Sequence, residues 1–122
     1  TADMSRAFRM TEVFAQVFEV IEVAYRRAID PASMSAARFI THLRYLFVRA
    51  DQGKIGAAGA GISQPSLLAA LRADAPRAYA CAQKVLLLLE MQLQQPLTQD
   101  ELTYLTIHID RLAKDLWGAA PA

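Results

Sequence analysis

A single cysteine, Cys81, stands among 122 residues, so no intrachain disulfide can form. A reducing setting, cytoplasmic rather than secreted, is the expected one. Cys81 lies between alanines on an expected buried face, which suits a small core residue better than a reactive thiol. Long hydrophobic runs are also lacking. The longest, Val85 to Leu89, falls far short of the roughly 20 residues that cross a bilayer, and no signal-peptide pattern opens the chain. Neither sign of charge dominates. Formal net charge is +1 and the arginines are scattered, so direct binding of RNA or DNA by this segment is not expected. Glycine and proline are few, five each, with four of the glycines gathered between Gly53 and Gly61, as punctuation between long helices would be. With two histidines and one cysteine, the usual zinc sets cannot be assembled. Neither a His-Glu-x-x-His pair nor the Glu-x-x-His repeats of diiron bundles occur. No serine or cysteine occupies a nucleophile-elbow or thiol-protease setting. The composition and motifs thus point to no metal, no cofactor and no enzyme.

What is present is helix-forming and apolar. Apolar residues make up 54% of the chain, and 122 residues support one domain, 1–122, around a single core. Periodicity predicts five helices, at about 6–29, 34–51, 65–72, 75–94 and 99–117. In the first, Phe8, Val13, Val17, Ile21 and Ala24 recur on one face. Glu22 and Arg26 are spaced for an i,i+4 pair, and Pro31 is expected to stop the helix. Ser33 or Ser35 is expected to cap the second helix, and Gly53 to end it. The stretch Gly53 to Gly61 reads as a flexible loop. It is not a phosphate cradle, because its lysine comes first and no Ser or Thr follows. Leu67, Leu68 and Leu71 should face inward from the short third helix, and Asp74 should cap the fourth. The fourth carries Tyr79, Ala82, Val85, Leu86, Leu89 and Leu93 on a face broad enough to lie deep or meet a partner. Thr98-Gln99-Asp100-Glu101 is a capping box for the fifth. The fold expected is an all-α compact bundle: two antiparallel helix pairs and a short connecting helix.

The two histidines, His42 and His108, each lie inside a helical apolar pattern. At about 100° per residue both fall on the flank of the stripe, neither central nor opposite. His42 stands beside Leu46, and His108 among Glu101, Tyr104 and Asp115. One reading makes them partly buried structural residues. Another makes them reversible phospho-acceptors, which need a neutral accessible imidazole and a donor protein carrying phosphohistidine or phosphocysteine. A phosphoryl group of charge near −2 at the edge of an apolar face would strongly perturb any seam formed there.

Three segments favour the second reading. F-I-T-H-L-R-Y-L, A-P-R-A-Y-A-C-A-Q-K-V and L-T-Q-D-E-L-T-Y-L-T-I-H-I-D-R, in that order, resemble the PTS regulation domain of sugar-responsive antiterminators and related transcription activators. The similarity runs from about Arg9 to about Lys114. It implies a five-helix module that forms a homodimer, with phosphorylation at His42 and His108. Arg44, Glu101 and Arg111 would supply supporting contacts. The donors implied are the phosphocarrier HPr and the B component of a sugar permease, and RNA or DNA would be bound only through a linked domain. The chain carries one such domain where the family usually has two, and its glycine-rich loop departs from the polar loops of the family. It starts at Thr1, which suggests a segment of a longer protein. The short tail after Trp117 suggests the second regulation domain of an antiterminator. The alternative is a helical dimerisation module whose histidines are structural.

Overall fold

A computed structural model describes residues 2–53 and 65–118. Five helices, and no strand among the described residues, make up the fold: α1 (Ala2–Tyr25), α2 (Met34–Asp51), α3 (Pro65–Asp74), α4 (Pro76–Leu93) and α5 (Gln99–Trp117). The all-α bundle expected from periodicity is the one observed. The glycine-rich loop lies outside the described residues, apart from Gly53 at the end of α2.

The helix ends follow local chemistry. Ser33 caps α2 through its hydroxyl, which accepts the Ala36 amide at 3.1 Å. The predicted capping box of α5 is present. Thr98 accepts from Asp100 N at 3.2 Å, while Glu101 Oε1 accepts both the Thr98 amide and the Thr98 hydroxyl. Three expectations need correction. First, α1 ends at Tyr25, well before Pro31. Arg26 adopts left-handed geometry at φ 56°, and the Arg27 amide turns back onto the Glu22 carbonyl. The Glu22 carboxylate accepts the Ile29 amide at 2.7 Å instead of reaching Arg26. A residue in left-handed geometry is a common helix stop, because it breaks the helical repeat. Second, Asp74 closes α3, and the cap of α4 is Ala75, which makes no side-chain cap bond. Pro76 holds Ala75 out of helical geometry, at φ −132° and ψ 60°, and itself starts the helix. Third, Phe8 is 69% exposed and Leu67 points outward, so the apolar faces of α1 and α3 are narrower than expected.

The core lies where α4 packs on α1, α3 and α5, and where α5 also meets α2. Val17 and Ile21 of α1, Leu43 of α2, Val85 and Leu89 of α4, and Leu105 and Ile109 of α5 are fully buried there. Cys81 is buried among them, and burial pushes its thiol up to about 11. Aromatic pairs brace the helices: Phe14 meets Phe47 edge-on at 5.7 Å, Phe18 stacks on Phe39, and Tyr25 leans on Trp117. Leu87 and Met91, one turn apart on α4, remain exposed. The packing of α2 against α5 positions the site. No helix among the described residues is long and apolar enough to cross a membrane.

Candidate functional site

His42 projects from α2 and His108 from α5. Both residues flank their helix's buried stripe, as helical spacing predicts: His42 precedes buried Leu43, and His108 precedes buried Ile109. Packing the two stripes together drives the flanks into register. The imidazoles stack with centroids 3.7 Å apart and planes 24° from parallel. Tyr104, one turn before His108 on α5, closes one side. Its hydroxyl oxygen is 2.9 Å from His42 Nδ1 and 3.4 Å from the His42 carbonyl oxygen. Its ring meets His108 edge-on at 4.4 Å.

On the other side the pair opens into a small notch lined by Ser35, Arg38, Phe39, Arg111, Leu112 and Asp115. Its volume is about 10 Å³, close to the least that admits one water molecule. Arg38 from α2 reaches Asp115 on α5 at 3.2 Å across it. That pair is well exposed, so it contributes at most about 1 kcal/mol.

The electrostatics keep both rings neutral. Burial lowers His42 below its ordinary 6.5, helped by the charges of Arg111 and Arg38. Burial lowers His108 further, to about 4, with His42 and Arg111 adding to it. Each ring therefore holds one proton and one lone pair at neutral pH. Burial pushes the Tyr104 hydroxyl up to about 12, so it stays protonated. Among the described residues, no group of three or more His, Cys, Asp or Glu side chains converges as a metal site would need.

Of the five residues singled out from sequence, the structure brings three together: His42, His108 and Arg111. Glu101 sits two turns before His108, about 10 Å along the axis, and spends its Oε1 on the α5 cap. Its Oε2 is buried with no hydrogen-bond partner among the described residues. Arg44 instead lies over the Phe14 ring, 5.5 Å from its centroid. Arg38 was missed, although it lies four residues before His42 and so on the same helical face. Tyr104 was seen near His108, but its contact with His42 crosses between helices and has no sequence signature.

These features define a class: an all-helical domain presenting paired neutral imidazoles between two helices, beside two guanidinium groups. The chain belongs to the PRD domain family, the PTS regulation domain, whose profile matches residues 13–112. It is similar to the transcription antiterminator LicT of Bacillus subtilis (strain 168), at 29% identity over 112 residues, 92% of this chain and 39% of that protein. The PtsGHI operon antiterminator of the same organism is 26% identical over 114 residues, 93% of this chain and 38% of the relative. The beta-glucoside operon antiterminator of Dickeya chrysanthemi is 26% identical over 113 residues, again 93% and 38%. The chain thus spans well under half the length of these relatives. No solved structure matches it significantly.

Proposed function

We propose that residues 1–122 form a single regulatory phospho-acceptor domain of a sugar-responsive transcriptional antiterminator or activator. His42 and His108 are the acceptors. The donors are the phosphocarrier HPr, the B component of a sugar permease, or both. Phosphorylation changes the association of the domain with a second copy, and so the activity of a linked nucleic-acid-binding module. The observation that carries this reading is the stacked imidazole pair, neutral at physiological pH and open on one side to Arg38 and Arg111.

A neutral ring offers a lone pair to phosphorus, and the donor supplies the activated phosphoryl, so no cofactor is needed. The notch is too small to enclose a phosphoryl group. The group must project outward or separate Arg38 from Asp115. Its charge of about −2 favours the guanidinium groups and repels the Asp115 carboxylate. It also ends the close stacking of the two rings. The α2–α5 seam thereby has two arrangements, one for each phosphorylation state.

The test is intact-protein mass spectrometry at neutral to alkaline pH after incubation with phosphoenolpyruvate, enzyme I and HPr, with and without the permease B component. The expected gain is about 80 Da for each acid-labile group. It should be lost in His42→Ala/His108→Ala. No gain with either donor would refute the acceptor role. The alternative, a dimerisation module with structural histidines, draws on the hydrogen bond between His42 and Tyr104. It predicts an unchanged oligomeric state in the double alanine variant.

A further inference from the structure

Tyr104 touches His42 at two points, and the two contacts together bear on which ring nitrogen of His42 is free. We propose that Tyr104 is a positioning residue that holds the His42 proton on Nδ1, leaving the Nε2 lone pair as the phosphoryl acceptor. The inference rests on the acceptor role proposed above and adds the atom and the residue that selects it.

A neutral imidazole carries one N–H, on either Nδ1 or Nε2, and the partner of one nitrogen decides the state of the other. The Tyr104 hydroxyl has one proton to give and an oxygen that can accept. Two arrangements fit a contact of 2.9 Å between Nδ1 and Oη. In the first, the hydroxyl donates to Nδ1, and the ring proton sits on Nε2. Neither nitrogen then offers a free lone pair: Nδ1 is engaged and Nε2 is protonated. In the second, Nδ1–H donates to Oη, and the hydroxyl turns its own proton toward the His42 carbonyl oxygen, 3.4 Å away. Both contacts are then used, and the Nε2 lone pair is free.

The paired contacts of Tyr104 favour the second arrangement, because only there does the hydroxyl donate to the His42 carbonyl while it accepts from Nδ1. Tyr104 comes from α5 and approaches from the Nδ1 side of the ring. The notch that Arg38 and Arg111 help to line also reaches His42. In water a histidine side chain favours the proton on Nε2, so without this tyrosine the form with a free Nε2 lone pair would be the minor one. The step balances without a further proton carrier. A donor phosphohistidine, protonated on its other ring nitrogen, loses its N–P bond, and the electron pair returns to the donor ring, which leaves as neutral imidazole. The Nε2 lone pair of His42 forms the new N–P bond. The Nδ1 proton stays in place, held by Oη, on a ring that is now cationic.

The experiment is ¹⁵N–¹H long-range correlation NMR of the ring nitrogens, on the wild-type domain and on Tyr104→Phe, at pH 7.5. Tyr104→Phe keeps the ring that packs on His108 and removes only the hydroxyl. In the wild type, the His42 Nδ1 shift should be that of a protonated nitrogen and Nε2 that of an unprotonated one. In Tyr104→Phe the proton should move mainly to Nε2. Phosphoryl transfer to His42 from phospho-HPr, or from the phosphorylated permease B component, read in His108→Ala to isolate it, should fall by about tenfold, the order expected for one hydrogen bond. Phosphorus on His42 should be attached at Nε2, as ³¹P–¹⁵N coupling would report.

A wild-type proton on Nε2 would overturn the proposal, as would an unchanged tautomer in Tyr104→Phe. Phosphate attached at Nδ1 would overturn it as well. The tautomer is read without any donor. A domain with the expected tautomer that takes no phosphoryl group from either donor would therefore refute the acceptor role alone. A domain that is phosphorylated equally fast in both forms would refute only the part given to Tyr104.

Discussion

Acidification should destabilise this domain through His108, ahead of the general loss from its carboxylates. The perturbation is a fall from pH 7.5 to pH 5. In the folded chain His108 is held near 4, first by burial and then by the charges of His42 and Arg111. In the unfolded chain it returns to about 6.5. Between those values the unfolded state binds more protons than the folded one, so stability falls as pH falls. The contribution is intact above about 6.5, declines down to about 4, and is constant below that. At about 1.4 kcal/mol per pH unit, the whole gap bounds the loss at roughly 3 kcal/mol, of which about 2 falls above pH 5. His108 is only half-buried, and solvent screening reduces the figure to about 1 kcal/mol at pH 5. Urea denaturation at pH 7.5, 6 and 5, at constant ionic strength, measures it. The control is His108→Gln, which keeps a polar side chain but cannot titrate. The wild type should lose about 1 kcal/mol more than the variant between pH 7.5 and pH 5. Equal losses in the two proteins would refute the reasoning and mean that the imidazole accepts its proton in the folded state at no cost.

Further outcomes are equally specific. Arg111→Ala should raise the pKa of both histidines toward 6.5, because Arg111 depresses each of them, and an NMR titration of the ring protons would follow both. Thr98→Ala should cost about 1 kcal/mol in chemical denaturation, since it removes the hydroxyl that caps α5 and that Glu101 accepts. Leu89→Ala, at a fully buried position of α4, should cost about 2–5 kcal/mol by the same assay. Cys81 should resist thiol reagents in the native domain near pH 8 and react on unfolding, because burial keeps it protonated up to about 11.

Much of the site was readable before the fold. The flank positions of His42 and His108 follow from helical spacing, since each needs only its neighbours on one helix. The capping box before α5 was equally legible, because its reciprocal bonds span four residues. Arg111, to which the resemblance gives a supporting role, lines the notch. Glu101 was legible as the capping-box partner, and the structure shows it there, whereas the resemblance also implied a supporting role at the site. Its Oε1 accepts the Thr98 amide and hydroxyl at the start of α5, two turns before His108. Helix ends misled wherever a side chain or a left-handed residue acted before a proline. Glu22 and Arg26 stop α1 five residues ahead of Pro31, and nothing in the apolar period marks that position.

The division follows from the range of the forces. The order of residues alone determined that the chain is helical, that its core is aliphatic, and that the two histidines border that core. Each of these depends on period, propensity and caps, all expressed within a turn or two. Only the tertiary structure decided that the rings lie 3.7 Å apart and that Arg38 reaches Asp115 across the notch. It also decided that a tyrosine of α5 grips a histidine of α2. Those contacts join residues more than 60 positions apart, and they arise because burying two apolar stripes fixes the register of α2 on α5. Helical spacing states which residues share a face, and packing decides what that face meets.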